Sequence, residues 1–189
     1  MTLFDWILSL AALAWLTAMA VFDIHKREVP GPLWTGIPLV LAIAYRLLGG
    51  DHAEMAAAAV VVVLASERRH LRQKVLETFI LVAGVVVLGW IMFSVGIFQT
   101  TGIIGMLVFW AAWELRRIGG ADAMVLITCL LIWPGMEFVY AYLLAGLGWS
   151  VGVRIREGDW LKGHQVPGLA IVFTGAVLFL MYTALNVIF

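Results

Sequence analysis

The feature that most restricts this chain is a series of apolar runs on the scale of a bilayer. A spanning helix takes about 20 apolar residues, with a range near 17–25. Residues 3–22, 32–48, 76–98 and 166–188 meet that length, and shorter apolar runs cover 53–66, 100–115, 122–134 and 136–150. Of the 189 residues, 63% are hydrophobic and 13% charged, whereas a soluble domain is about 45–50% apolar and about 25% charged. The expected fold is an all-α, polytopic transmembrane helix bundle forming one domain over residues 1–189. The net charge of zero offers no electrostatic case for nucleic acid as a partner. Cys129 is the single cysteine, so an intramolecular disulfide and a Cys-rich zinc site are excluded. The first run is followed by Asp, Lys and Arg, which marks a retained helix rather than a cleaved signal peptide.

Pro134-Gly135 decides how many spans there are. It breaks or sharply kinks a helix, so 122–150 is either one kinked span of seven or two spans of eight. Cytoplasmic loops collect Lys and Arg. Every basic residue except Arg46 falls in one of four clusters: Lys26 and Arg27; Arg68, Arg69, Arg72 and Lys74; Arg116 and Arg117; Arg154, Arg156 and Lys162. Eight spans bring all four clusters to one face, with both termini outside, and leave "GGDHAE" and "FQTTG" on the other. Seven spans strand the last cluster. Eight is the expectation, with the short runs buried in the bundle or thinning the bilayer.

In that topology Asp23 closes the first span and Asp122 opens the sixth, at the same depth on the cytoplasmic side. Each has an ordinary explanation. An Asp in the first turn of a helix caps N–H groups and meets the positive end of the dipole, and Asp23 can pair with Lys26 or Arg27. Asp5, Asp51 and Asp159 read as interfacial charges. Together, however, two aspartates sharing a proton can divide general acid and general base work, because like charges a few ångströms apart do not both ionise. Gly119 and Gly120, before Ala121-Asp122, suit a sharp turn or a close approach of another segment.

The stretch "GGAD", Gly119 to Asp122, resembles the GxGD motif of intramembrane aspartyl proteases. "DIHKREVP", Asp23 to Pro30, resembles the first-aspartate motif of the type IV prepilin peptidases, and "GHQVPGLAIVFTGAVL" is similar to that family's entry to its last helix. Together they match the prepilin and preflagellin peptidases, and the "GGADA" form is similar to that of archaeal members. The third motif position is Ala121 rather than Gly, Gly31 stands where many relatives have Asn, and the separation of the aspartates implies a six-span family core plus an extra hairpin. The resemblance implies a catalytic pair of Asp23 and Asp122. It also implies backbone support from Gly119, Gly120, Ala121 and Pro30, and contacts to substrate or dyad from Lys26 and Arg27. The implied function is endoproteolytic removal of the short N-terminal leader from membrane-inserted prepilin- or preflagellin-like precursors, at the cytoplasmic face of a prokaryotic cell membrane. Hydrolysis needs water and the dyad, so no metal or cofactor is expected. The partners are the precursor and the bilayer. Without the Cys-rich cytoplasmic region of the large bacterial enzymes, no methyltransferase activity is expected.

Two other readings remain. A proton- or ion-coupled transporter calls for midplane carboxylates and an inverted repeat. A non-catalytic membrane assembly subunit would tolerate loss of either aspartate. His25, His52, His70 and His164 lack metal spacing and read as loop residues. The nine Trp read as interface anchors, "AAAAV" at 56–60 as a close-packing surface, and Glu114 as an ion-pair partner of Arg116 or Arg117.

Overall fold

The computed structural model describes residues 3–26, 32–49, 52–68, 73–95, 97–157 and 167–188. Within them lie eight helices: α1 Leu3–Lys26, α2 Pro32–Gly49, α3 Ala53–Glu67, α4 Lys74–Ser94, α5 Ile97–Glu114, α6 Gly120–Ile132, α7 Met136–Glu157 and α8 Gly168–Ile188. Four of them, α1, α4, α7 and α8, are long and apolar enough to cross a membrane. Pro134-Gly135 separates α6 from α7 completely, so 122–150 is two helices and not one kinked rod. Pro134 lacks an N–H to continue the ladder. The Trp133 N–H closes the last turn on Cys129 O at 2.7 Å.

The short helix α6 forms the centre. Every residue from Val125 to Leu131 is buried, and α6 packs on α1, α2, α3, α5 and α8. A helix apolar on all sides belongs in an interior. The long helices carry large exposed apolar side chains instead, such as Val75, Phe79, Val86 and Phe93 on α4. In a soluble protein such a surface would be a liability, but here it is the lipid face. Between apolar helices in lipid the driving force is close packing rather than water release. The run at 56–60 serves it, with Ala56, Ala58 and Ala59 fully buried. Gly84 of α4 faces Ala65, whose Cβ would lie 3.3 Å from a Cβ at 84.

Polar contacts sort the helix ends into two groups. At one end Arg68 grips Glu114 with both guanidinium nitrogens, at 2.8 and 2.9 Å, and also donates to Ala65 O at 2.6 Å. The last turn of α3 is thereby tied to the last turn of α5. Glu114 thus reaches across the bundle, because a bidentate fork on a buried Arg outcompetes a solvated neighbour in the next turn. The starts of α6 and α8 and the end of α1 lie at this end as well. With them come the described members of the basic clusters, Lys26, Arg68, Lys74, Arg116, Arg117, Arg154 and Arg156.

Arg46 belongs to the opposite end. It is buried there, and its Nε and Nη2 donate to the carbonyls of Leu131 and Ile132 at 2.5 and 2.9 Å. A helix leaves its last carbonyls without partners, and α6 ends inside the bundle just before a proline, so Arg46 supplies the missing donors. Nearby, Trp133 Nε1 donates to Ser9 Oγ at 2.9 Å, and the Trp133, Phe138 and Phe179 rings pack with centroids 5.4–6.2 Å apart.

Arg46→Leu should therefore destabilise the bundle by about 1–3 kcal/mol, the cost of buried carbonyls left unmet, with Arg46→Lys intermediate. Thermal unfolding in detergent micelles checks this. An unchanged midpoint for Arg46→Leu would remove the capping role.

Candidate active site

α1 carries Asp23 one turn before its C-terminus. From there the carboxylate crosses to another helix, where Oδ2 accepts the backbone N–H of Leu169 at 2.9 Å. Leu169 is in the first turn of α8, after Pro167 and Gly168. Proline suits a helix entry because it lacks the N–H that would go unpaired there, and Asp23 takes one of the remaining donors. A carboxylate facing a helix N-terminus is also favoured by the dipole.

Asp122 arrives at the same place from α6. Gly119 is the N-cap, with φ −69° and ψ 154°, and Asp122 stands three residues on. Its carboxylate folds back to accept the Gly119 N–H, the reciprocal half of a capping box. Its other neighbour is α8. A Cβ at position 168 would lie 2.6 Å from Asp122 Oδ2 and 2.8 Å from its Cγ, closer than a carbon can stand. Gly168 therefore lets the α8 backbone lie against the carboxylate. The two aspartates, 99 positions apart in sequence, converge on the entry of one helix.

Asp122 stands in the first turn of α6, outside the four membrane-length helices. Its carboxyl is pushed up to about 6, first because burial strips it of water and then by the charge of Asp23, while the Gly119 N–H pulls the other way. A carboxyl so raised is protonated in part at mildly acidic pH, where an ordinary aspartate is fully ionised, and its protonated form can act as a general acid. Tyr142 of α7 also lies within electrostatic reach of Asp122. The backbone of α7 is held tightly there, since a Cβ at Gly175 would lie 2.8 Å from Tyr142 Cα.

Of the two roles read for the glycines, the structure shows the close approach, at Gly120, and not the sharp turn. Gly119 has an ordinary extended conformation. The left-handed residue of the α5–α6 turn is Arg116, with φ 56°, so the reversal is made before the glycines. The close approach at Gly120 is to the Trp113 indole on α5, which would lie 3.1–3.2 Å from a Cβ at 120. Ala121 occupies the first turn of α6 and Lys26 ends α1. Arg27 and Pro30 lie outside the described residues. His25 sits in the last turn of α1, Nδ1 2.9 Å from Val21 O, rather than in a loop, and His52 caps α3 with φ 61°. Asp5 receives the Tyr45 hydroxyl at 3.4 Å. Among the described residues no group of three or more His, Cys, Asp or Glu could hold a metal ion.

Sequence reasoning passed over Gly168, the Leu169 N–H, Trp113 and Tyr142. Pro167-Gly168 was the available signal, a helix entry with a glycine where nothing in the local sequence requires one. No protein-family model, characterised protein or solved structure matches the chain.

The electrostatic coupling can be measured. The Asp122 carboxyl, followed by its infrared C=O band and assigned by loss in Asp122→Asn, should titrate near 6. In Asp23→Asn a like charge is gone, so the midpoint should fall. It should stay above the ordinary aspartate value, because burial persists. A midpoint unmoved by Asp23→Asn would show that the two carboxylates do not interact.

Proposed function

We propose that the chain is a membrane-embedded aspartyl endopeptidase of the prepilin and preflagellin peptidase type, with Asp23 and Asp122 as its catalytic pair. The observation that supports this reading is the convergence of two aspartates, from distant segments, on the entry of α8. Asp23 takes a proton from water as its oxygen bonds the scissile carbonyl carbon, and Asp122 gives its proton to the carbonyl oxygen. On collapse Asp122 recovers a proton from a hydroxyl of the tetrahedral species, and Asp23 delivers its own to the leaving nitrogen. Both carboxyls return to their starting states. The substrate is a precursor whose hydrophobic helix lies in the bilayer and whose short leader emerges at the basic end of the bundle. That end is the cytoplasmic face in this reading, with eight helices crossing and both termini outside. A transporter is less well supported, because the pair sits at an end of the bundle rather than near its middle.

Asparagine is the informative replacement. It keeps an oxygen to accept the Leu169 or Gly119 N–H, so the helix ends remain capped, but it cannot exchange a proton. The full chain, reconstituted with a synthetic precursor of short basic leader and apolar helix, should release the leader, as read by mass spectrometry. Asp23→Asn and Asp122→Asn should each lose at least about a hundredfold in rate while keeping their thermal midpoints. Near-normal cleavage by either variant would reject the mechanism and favour an assembly role.

Orientation is tested separately. Cys129 is buried and silent towards a membrane-impermeant maleimide. Arg156→Cys and Lys74→Cys should react only from the cytoplasmic side, and Glu54→Cys only from outside. Reaction of Arg156→Cys from outside would reject eight crossings.

A further inference from the structure

The end of the bundle opposite the aspartate pair holds a cleft of about 620 Å³ that has no part in the proposed proteolysis. Eighteen residues of α1 separate Asp5 at its rim from Asp23, about 27 Å at the helical rise. Its walls carry both signs of charge. The cleft is lined by Arg46, by Asp5 and Glu137, and by Tyr45 and Asn186, with Tyr45 stacked beneath the Arg46 guanidinium and its hydroxyl donating to Asp5. The Glu137 carboxylate is turned back over Gly135, in space that a Cβ at 135 would occupy.

Two apolar grooves adjoin this cleft along shared walls. One, of about 370 Å³, runs between α7 and α8; it shares Glu137, Phe179 and Tyr182 with the cleft and continues to Leu144 and Leu178. The other, of about 260 Å³, runs between α1 and α2; it shares Leu8, Tyr45 and Ile132 and continues to Leu41 and Trp15. Beyond Pro38 a further hollow extends it to Leu33. From Tyr45 to Leu33 the path along α2 is about 18 Å. Both grooves are walled by exposed, lipid-facing residues such as Leu41 and Leu144.

A mixed-charge cleft at the level of the headgroups, with an apolar groove leaving it on either side, has the plan of one kind of molecule. We propose that this cleft and its two grooves bind a two-chain membrane lipid whose headgroup carries both a phosphate and an ammonium. The phosphate lies towards Arg46, since guanidinium suits phosphate oxygens. The ammonium lies between Asp5 and Glu137, and one chain descends each groove. An anionic headgroup lacking the ammonium would keep the phosphate contact at Arg46 but bring no cation to Asp5 and Glu137. The site is remote from the aspartate pair, and its test reads lipid retention rather than cleavage, so it stands or falls separately from the proteolytic reading.

The purified full chain is depleted of lipid in detergent, then exposed to mixed micelles and examined by native mass spectrometry. Dioleoyl phosphatidylethanolamine should be retained as a single molecule, about fivefold more than dioleoyl phosphatidylglycerol, the ratio expected for two partly exposed ion pairs. Asp5→Asn with Glu137→Gln should erase that preference. Leu41→Trp and Leu178→Trp, at exposed groove positions, should each reduce retention of both lipids and leave the preference intact. Free O-phosphoethanolamine should not compete. Equal retention of the two lipids by the unaltered chain would overturn the proposal and mark the grooves as ordinary annular contact. A preference surviving loss of both carboxylates would overturn the headgroup assignment. Competition by free phosphoethanolamine equal to that of the lipid would replace it with a site for small polar solutes.

Discussion

A helix leaves peptide groups at each end without partners in its own ladder, and one left unmet in a buried setting costs as much as a lost hydrogen bond. The arrangement of this bundle depends on how three such ends are met. The start of α6 is met by Asp122 through the Gly119 N–H, the end of α6 by Arg46 through the Leu131 and Ile132 carbonyls, and the start of α8 by Asp23 through the Leu169 N–H. Two of these partners come from other helices. Each therefore fixes a contact between helices as well as a cap, in a setting where apolar packing alone discriminates little between neighbours.

That requirement and the chemistry proposed for the aspartates support each other. A carboxylate used as a cap is held in one place by a backbone that cannot move away without breaking its own ladder. Two carboxylates held against one helix entry are thereby preorganised, which a pair on free loops would have to achieve on binding. The Arg68–Glu114 fork supports the same corner from beneath. It secures the end of α5, and α5 in turn carries Trp113 against Gly120.

Much of the fold was legible along the chain. Run length and Pro134-Gly135 are local signals; they narrowed the count to seven or eight and marked the place where α6 and α7 separate, and the basic clusters favoured eight. The clustering of Lys and Arg is nearly local too, and its common end is reproduced by the contacts among helix termini. What sequence left out is long-range choice. Arg46 read as the exception to a charge rule, because the α6 carbonyls it serves lie 85 and 86 residues away. Glu114 read as a partner for its nearest arginines, while burial made Arg68 the better one. The double glycine suggested a sharp turn or a close approach; the left-handed turn residue is Arg116, whereas the close approach is found at Gly120, against an indole on another helix that sequence did not name. Pro167-Gly168 marked a helix entry in the sequence, but the reason for the glycine exists only once Asp122 has arrived beside it.

The shortness of α6 has a consequence of its own. Its thirteen residues make a rod of about 20 Å, against a hydrocarbon layer of about 30 Å, yet α6 is enclosed, so no lipid has to thin to match it. The rim is set by the long helices and the centre by α6. The centre of the bundle is thus shorter than the long helices around it, with a cleft beyond one end of α6 and the aspartate pair at the other. In the proposed topology a transmembrane voltage would fall over a low-dielectric path about two-thirds of the usual length, and the electric field along the axis of α6 would be correspondingly steeper.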